Sequence, residues 1–336
     1  MGESMRAMVL ERVGHRLRAC TVPVPAPGPG QIRIEVSTCG VCRTDLHVID
    51  GELPSPKPLL IPGHEVIGRM DALGPGAGDF RIGERLGVPW LGKTCGACAY
   101  CQTSRENLCD FPGFHGYTLD GGYARYMIAE SAYCFRIPDR YDDEHAAPLL
   151  CAGLIGFRSL RMAGDPHRIG IYGFGAAAHI VTQIAVAEGR RVHAFTQPGD
   201  VAAQRLALDV GAVWAGGSDA MPTEQLDAAL IFAPVGTLVP TALASVRKGG
   251  IVVCGGIHMS DIPAFPYRLI WQERRLVSVA NLTRADGVDF MQVAERVPLR
   301  VHTTPYPLED ANAALDDLRC GRLAGAAVLH VGSTSR

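Results

Sequence analysis

The sequence predicts an α/β protein of two domains, a β-rich domain followed by a doubly wound parallel sheet. Three observations lead to this fold class. The chain has 336 residues, which is too long for most single hydrophobic cores and suits two domains. The first part is rich in Gly and Pro and contains short strand patterns. After Cys151, short apolar runs alternate with helical patterns, as in chains that build parallel sheets.

The β-rich domain is expected over residues 1–151. Alternating apolar and polar residues predict strands at 6–10, 32–36, 85–88 and 124–128. The Pro- and Gly-rich stretch 23–30 between the first two predicts a turn. Long loops are expected between the remaining strands.

The parallel sheet is expected over residues 152–284. Its six strands are predicted at 169–172, 191–195, 212–214, 228–232, 251–254 and 276–280. After the first strand, one helical face is predicted to hold Ile180, Val181, Ile184, Ala185 and Ala187. Right-handed crossovers then place helices on both faces of the sheet. Residues 285–336 return to the sequence pattern of the first part of the chain, with a helix predicted at 288–296. They are expected to pack on the β-rich domain.

Composition narrows the kind of ligand and the cell compartment. The formal net charge is −2, so no strong field favours nucleic acid or an anionic membrane. No apolar run reaches the ~18 residues that span a bilayer, and the first residues lack the apolar core of a signal peptide. We therefore expect a cytoplasmic protein with a small-molecule ligand, and neither nucleic acid nor membrane as a partner.

A glycine-rich turn follows the first predicted strand of the second domain. Its sequence is Gly173-Phe174-Gly175-Ala176-Ala177-Ala178, which fits the pattern G-x-G-x-x-G/A. Gly173 would form the tight turn, Gly175 would let the backbone approach a pyrophosphate, and Ala178 would allow close packing of helix on strand. Free N–H groups at the helix N-terminus would then bind the phosphates. The alternative is a turn that binds nothing.

The end of the second strand bears on the choice between NADP and NAD. Sheets that bind NAD usually carry an acid about 20 residues past the glycines, where it holds the ribose 2′-OH. Here Thr196 and Gln197 stand at that place. A neutral side chain removes repulsion against a 2′-phosphate, and a hydroxyl can donate to it. The sequence favours NADP over NAD, with Arg205 as an additional but weaker candidate.

Four of the eleven cysteines lie within fifteen residues. Cys95, Cys98, Cys101 and Cys109 follow the spacing C-x2-C-x2-C-x7-C. Four thiolates at such spacing match a tetrahedral structural zinc site with no open position. An iron–sulfur cluster is the alternative, but no proline follows the last cysteine and no second set is present.

Three separate features form a Cys/His/Cys set, namely Cys42, His64 and Cys151. Three protein ligands leave a fourth position of a catalytic zinc for water or substrate, and zinc eases the loss of an alcohol proton. The Thr44 hydroxyl could take that proton and His47 could pass it to solvent. Asp45 could orient His64, as a metal-bound histidine requires. Singly, each residue could equally be a packing residue or a solvated one.

These residues resemble the zinc-dependent medium-chain alcohol dehydrogenases over nearly the whole chain. The resemblance rests on the order of Cys42-Arg43-Thr44-Asp45-Leu46-His47, Gly63-His64-Glu65, the four cysteines, Cys151 and the glycine motif. The stretches Gly87 to Gly92 and Gly116 to Tyr123 resemble the bacterial branch. The resemblance implies a GroES-like catalytic domain and a Rossmann cofactor domain, with the active site in the cleft between them. Ala176 and Ala178 depart from the glycines common in the family.

The resemblance also implies further roles. Glu65 would approach the metal during exchange of water and substrate, and Thr44 and His47 would act through the nicotinamide ribose. Arg43 would contact the pyrophosphate. Trp90 would form part of the wall of the substrate pocket, and the alternative is that Trp90 is only a core packing residue. The nicotinamide would be lined by Gly255, Gly256, Ile257, Ala280, Asn281 and Leu282. A homodimer or homotetramer is expected.

Other functions stay open at this point. A zinc-stabilised binding protein without turnover is one, although it would have no need of a proton relay. A thiol-based redox sensor that uses the cysteine cluster is another, and within the enzyme class a formaldehyde or polyol dehydrogenase is the nearest rival. The five remaining cysteines are expected to be packing residues: Cys20, Cys39, Cys134, Cys254 and Cys320.

Overall fold

The computed structural model describes residues 2–54, 56–323 and 325–332, and the chain forms two units. The first comprises Met1–Cys151, Thr283–Glu295 and Val301–Arg336, and the second comprises Ala152–Leu282 and Arg296–Arg300. The tail therefore joins the first unit two residues earlier than position 285. The reason lies in Arg284, whose backbone N–H donates to the buried carboxylate of Glu106 at 2.9 Å.

The first unit is built on a seven-stranded sheet. Numbered along the whole chain, its strands are β1 Ser4–Val9, β2 Arg18–Pro23, β3 Gln31–Val41, β4 Glu65–Leu73, β5 Arg85–Val88, β6 Leu91–Lys93, β7 Gly113–Phe114, β8 Tyr126–Glu130, β9 Phe135–Arg136, β16 Thr303–Pro307 and β17 Ala326–His330. The large sheet has the order β16-β17-β3-β4-β5-β9, with β8 also paired to β3, while β1-β2 and β6-β7 form separate pairs.

The long strand β3 shows why this part of the sequence forms a sheet. Ile32, Ile34 and Val36 are fully buried on one face, and the residues between them are less buried. This alternation has the period of two that a half-buried strand requires. The strand predicted at 124–128 instead begins at Tyr126, because Ala124 makes an isolated bridge to Ala7 rather than a ladder to β3.

Most helices of the first unit are short. They are α1 Arg43–Asp50, α2 Ala99–Gln102, α3 Asp143–Ala146, α8 Arg284–Arg296 and α9 Ala311–Arg319, with 3₁₀ turns at Glu106–Leu108, Ser131–Tyr133, Ala147–Leu150 and Leu308–Asp310. The helix predicted at 288–296 begins four residues earlier, because Thr283 and Asp286 exchange backbone and side-chain hydrogen bonds at its start. Such reciprocal bonds satisfy the free N–H groups of a first turn.

The second unit is the predicted doubly wound sheet. Its strands are β10 Arg168–Tyr172, β11 Arg191–Thr196, β12 Trp214–Gly217, β13 Leu226–Ile231, β14 Val246–Cys254 and β15 Arg275–Ser278, and its helices are α4 Ala152–Met162, α5 Ala176–Ala187, α6 Val201–Asp209 and α7 Leu238–Ser245, with a 3₁₀ turn at Tyr267–Leu269. All neighbours pair in parallel in the order β12-β11-β10-β13-β14-β15. The order reverses between β10 and β13, which is where such sheets bind ligands.

Three local predictions for this unit were wrong. The strand predicted at 212–214 begins at Trp214 because Gly211 has φ +101° and the Ala212 N–H still bonds to Ala207 at the end of α6. Ala187 is exposed in the last turn of α5, although the other residues of that predicted face are buried. The last strand ends at Ser278, so Ala280 lies in the loop that follows it.

The described residues contain no helix whose length and apolarity would let it cross a membrane.

Candidate active site

Cys42 lies at the junction of β3 and α1 and starts the helix. Its backbone is extended, and its thiol accepts a hydrogen bond from the Thr44 N–H at 3.3 Å. The Asp45 carboxylate reaches back to the Cys42 N–H at 2.9 Å. This reciprocal pair is a capping box with sulfur in the place of the usual hydroxyl. It fixes the direction of the Cys42 side chain.

Asp45 also holds His64. One carboxylate oxygen lies 3.2 Å from Nδ1 of His64, and both side chains are 0% exposed. With Nδ1 bound to Asp45, Nε2 faces the Cys42 sulfur at 3.2 Å. A histidine that ligates a metal usually gives its second nitrogen to a carboxylate in this way, because that bond sets the tautomer and the ring orientation.

Cys151 and Glu65 complete the cluster. The Cys42 and Cys151 sulfurs are 3.8 Å apart, and the ligand atoms of Cys42, His64, Glu65 and Cys151 all lie within 4.8 Å of one another. The Glu65 side chain enters this space beside Gly40, where any Cβ would collide with its carboxylate. The structure thus brings together residues that are more than a hundred positions apart in the chain.

The donor set fits zinc. Two thiolates held tetrahedrally at ~2.3 Å from one ion stand about 3.8 Å apart, whereas a disulfide would need sulfurs at about 2.0 Å. Burial raises the pKa of Glu65 well above its usual value, and the nearby Cys42 adds to this shift. Hydrogen bonding to Cys151 and burial raise the pKa of Cys42 in the same way. Burial therefore favours the neutral form of these groups, and a nearby cation is what would hold them in the anionic form that binds a metal.

Thr44 and His47 lie on the helix that Cys42 starts. Thr44 occupies the first turn and is half-buried, while His47 lies one turn further and is buried. Arg43 is exposed at the first position of the same helix. Because α1 begins at the cluster, the hydroxyl and the imidazole are held at fixed places relative to it.

The four-cysteine lobe forms a second cluster. Sulfur–sulfur distances are 3.5 Å for Cys98–Cys101 and Cys95–Cys109 and 3.9 Å for Cys95–Cys101. The N–H groups of Cys95 and Phe111 donate to the Cys109 sulfur at 3.3 Å. Backbone hydrogen bonds lower the pKa of Cys98 to about 6. These distances and donors fit four thiolates around one zinc ion and leave no ligand position free.

The glycine motif lies at the switch point of the sheet. Gly173 follows β10 with φ +87°, and a Cβ there would lie 2.7 Å from the Ala233 backbone nitrogen. Gly175 is the N-cap of α5 and offers no side-chain cap. Ala176 and Ala177 form the first turn, so their N–H groups are available to a phosphate.

The other residues assigned to the cofactor stand at the carboxyl ends of the same parallel strands. Gly255, Gly256 and Ile257 follow β14, and Ile257 is exposed. Ala280, Asn281 and Leu282 follow β15. Asn281 has φ +60°, and its side-chain amide nitrogen is buried without a hydrogen-bond partner among the described residues. In parallel sheets, ligands bind outside these strand ends.

The comparison with solved structures shows the fold. A cinnamyl alcohol dehydrogenase of Sorghum bicolor, SbCAD4, has a TM-score of 0.89 at 24% identity, with 99% of each chain covered. Acetophenone reductase of Geotrichum candidum, solved in complex with NAD, has a TM-score of 0.87 at 24% identity and covers 98% of this chain and 98% of its own. Residues 28–139 match the family described as Alcohol dehydrogenase GroES-like domain.

Relatives that are more alike in sequence decide the family. "Probable alcohol dehydrogenase AdhA" of Mycobacterium tuberculosis is 45% identical over 321 residues, which are 93% of this chain and 92% of that protein. An alcohol dehydrogenase of Geobacillus stearothermophilus is 34% identical over 97% of this chain and 100% of its own length. The chain belongs to the medium-chain alcohol dehydrogenase family. It is an oxidoreductase of alcohols and carbonyl compounds.

In this alcohol dehydrogenase, Trp90 packs directly against a residue of the Cys/His cluster. Its ring meets that of His64 edge-on, with centroids 4.9 Å apart. Phe114 and Tyr117 stack on Trp90 at 5.2 and 5.7 Å. Trp90 is therefore packed in an aromatic stack and also borders the cluster. Sequence reasoning gave neither stacking partner a role, although Tyr117 lies within the stretch Gly116 to Tyr123 and Phe114 lies two residues before it.

Thr196 does not offer the free hydroxyl expected of it. The side chain is buried, and its hydroxyl lies 3.0 Å from the Gln197 carbonyl and 3.3 Å from the Gly216 carbonyl. It also accepts from the Gln204 amide at 3.1 Å. Because its single proton is used inside the protein, Thr196 has none to donate to a 2′-phosphate. The exposed residue at this strand end is Gln197.

The remaining cysteines divide into two kinds. Cys39, Cys134 and Cys254 are buried, as expected of packing residues, and Cys20 is half-buried. Cys320 is exposed at the end of α9, so its assignment as a packing residue was wrong. Helix α9 ends at Arg319, and Cys320 is the C-cap residue that follows it.

Proposed function

We propose that this enzyme is a two-zinc, nicotinamide-dependent alcohol dehydrogenase. The observation that supports the proposal most strongly is the convergence of Cys42, His64 and Cys151, with Asp45 bound to the far nitrogen of the imidazole. Three ligands of this kind hold zinc and leave one position open. The bound ion supplies a Lewis acid that eases ionisation of the substrate hydroxyl.

The chain's own side chains move the proton. Thr44 accepts the proton of the alcohol at its hydroxyl and passes its own onward, and His47 takes it at the imidazole and releases it to solvent. A hydroxyl can do this because it donates and accepts at one atom. Glu65 is the neighbouring carboxylate that can approach the ion while water and substrate exchange. Trp90 forms part of the wall against which the substrate packs.

The second unit holds the dinucleotide. The turn Gly173–Ala177 takes the pyrophosphate, and the loops after β14 and β15 take the nicotinamide. The nicotinamide supplies the hydride acceptor for alcohol oxidation and the donor for carbonyl reduction. Among the two dinucleotides we favour NADP. The preference for NADP is supported by the lack of a carboxylate at Thr196 and Gln197. The Thr196 hydroxyl itself adds no support, because it already donates within the protein.

Two further elements complete the proposal. The ion held by Cys95, Cys98, Cys101 and Cys109 is structural, because four thiolates leave no place for a substrate oxygen. Homodimers or homotetramers are proposed from the family. The substrate is a small alcohol or its aldehyde or ketone.

Metal analysis and turnover test the proposal together. The purified enzyme should contain two zinc ions per chain, and alcohols should drive an increase in absorbance at 340 nm with NADP or NAD. A panel of primary, secondary and aromatic alcohols and carbonyl compounds covers the substrate class. A zinc-loaded protein that turns over none of them with either dinucleotide would instead be a binding protein that kept the fold.

Cofactor choice is tested by restoring the missing acid. Gln197→Asp places a carboxylate at the exposed end of β11, where it repels a 2′-phosphate and accepts from a 2′-OH. The ratio of kcat/KM for NADP to that for NAD should fall by about tenfold or more, which corresponds to ~1.4 kcal/mol. Both dinucleotides are measured on the same variant, so a general loss of activity cancels in the ratio of the two kcat/KM values. An unchanged ratio would contradict the position assigned to the 2′ group.

A further inference from the structure

The imidazole of His47 is bound by a carboxylate that no sequence motif indicated. Nδ1 of His47 and the carboxylate of Glu52 form a hydrogen-bonded contact. The His47 side chain is 11% exposed, whereas the Glu52 side chain is 45% exposed. The ring is therefore enclosed by protein, and its carboxylate partner stands at the surface.

The end of α1 explains how Glu52 reaches the ring. Gly51 ends the helix with φ +83°, a left-handed conformation that turns the chain back. The Glu52 N–H then donates to the His47 carbonyl at 2.9 Å, and the Leu53 N–H donates to the same oxygen at 3.2 Å. Glu52 is thereby tied to the very residue whose ring it contacts, so the pairing is a product of the local backbone.

The chemistry of the two groups determines where the ring proton lies. A carboxylate only accepts hydrogen bonds, so Nδ1 must donate. In the neutral ring, Nε2 then carries the lone pair and is the atom that can take a proton. We propose that Glu52 is a positioning residue of the proton relay, which fixes the Nδ1–H tautomer of His47 and holds the orientation of its ring. This inference rests on the proposed function, in which His47 receives the alcohol proton.

The proton balance follows. During alcohol oxidation, the hydroxyl proton arrives at Nε2, where a new N–H bond forms and the ring gains one positive charge. The Glu52 carboxylate faces that charge and keeps its own protonation unchanged. Release to water then breaks the same Nε2–H bond. The other two acids of α1 have partners of their own, since Asp50 pairs with Arg319 at 2.8 Å and Asp45 with His64.

A spectroscopic readout tests the tautomer without reference to turnover. In protein labelled with ¹⁵N-histidine, the shifts of the two His47 nitrogens identify the protonated one, and a His47→Asn variant assigns the signal. The wild type should show Nδ1–H. Glu52→Gln should weaken the preference for that tautomer, because its amide can present either the oxygen or the NH₂ group to Nδ1, whereas Glu52→Ala should lose the preference. Asp50→Asn, an exposed acid of the same helix, is the matched control and should match the wild type.

A rate measurement completes the experiment. In single-turnover hydride transfer at pH 7, Glu52→Ala should lose about tenfold or more, as is typical when the partner of a functional histidine is removed. Glu52→Gln should fall between Ala and the wild type, because it keeps the orientation and loses the charge. A wild-type ring protonated at Nε2, or an unchanged tautomer and rate in Glu52→Ala, would overturn the role of Glu52. Absence of turnover in the zinc-loaded wild type would overturn the proposed function instead.

Discussion

Asp45→Asn is the substitution whose effect can be worked out most fully from the structure. The two carboxylate oxygens accept from two different buried donors, the Cys42 N–H at 2.9 Å and Nδ1 of His64 at 3.2 Å. Asparagine has nearly the same shape but offers only one acceptor oxygen. Whichever way the amide turns, one of the two donors faces an NH₂ group.

The magnitude follows from these two bonds. A buried donor left without a partner costs about 1–3 kcal/mol of folding free energy. Loss of the carboxylate behind a metal-bound histidine lowers metal affinity by about 10- to 100-fold, or ~1.4–2.7 kcal/mol. We therefore expect Asp45→Asn to lower the zinc affinity of the site formed by Cys42, His64 and Cys151 by one to two orders of magnitude. We also expect it to lower the free energy of unfolding by about 2 kcal/mol.

The assay is competition between the protein and a coloured zinc chelator, followed by urea unfolding of the zinc-loaded protein. The wild type should release two equivalents of zinc in two phases. Asp45→Asn should shift only the phase that belongs to the site formed by Cys42, His64 and Cys151. Asp50→Asn, on the exposed side of α1, should shift neither. Zinc release that is identical in Asp45→Asn and wild type would refute the reasoning, because Asp45 would then contribute nothing to metal binding.

Three further outcomes are expected. Cys151→Ala should keep the circular dichroism of the wild type, bind one zinc ion fewer and lose turnover; retained activity would remove Cys151 from the ligand set. Cys98→Ser should lower the urea midpoint and solubility first, and a change in rate alone would contradict a structural ion. Burial lowers the pKa of His115 from its ordinary value of 6.5 to about 4, so the neutral ring stabilises the fold above pH 6.5. That stability, about 3 kcal/mol, is lost as the pH falls towards 4, and in His115→Asn the urea midpoint should depend less on pH over this window.

The convergence of the two groups of candidate metal ligands could be predicted from the sequence, because metal binding restricts residue type and spacing. Cys95, Cys98 and Cys101 repeat at intervals that place their sulfurs around one point, and Cys42 precedes a helix whose first turn carries Asp45. Such local constraints remain visible along the chain. Cys151 was predicted only together with Cys42 and His64, since its own surroundings carry no pattern.

The predictions that were wrong or missing depend on contacts and backbone geometry that the sequence pattern does not show. The engagement of the Thr196 hydroxyl required the positions of Gln204 on α6 and Gly216 on β12, and no spacing rule gives those. The contact of Glu52 with His47 required the left-handed turn at Gly51. The exposure of Ala187 required knowing that α5 ends at this residue, so that its last turn is left exposed. Each depends on backbone geometry that residue types alone do not specify.

The capping box of α1 has a consequence for how this segment can change over evolution. Within four consecutive positions, Cys42 to Asp45, the chain supplies the proposed sulfur ligand, the proposed proton carrier and the carboxylate that holds His64, all in register with one helical turn. Inserting or deleting one residue here would rotate the following side chains by ~100° about the helix axis and would disrupt all three at once. A surface turn such as 75–79 has no such register to keep. Length variants of this enzyme should therefore accumulate in surface turns, while the segment from 42 to 47 keeps its length.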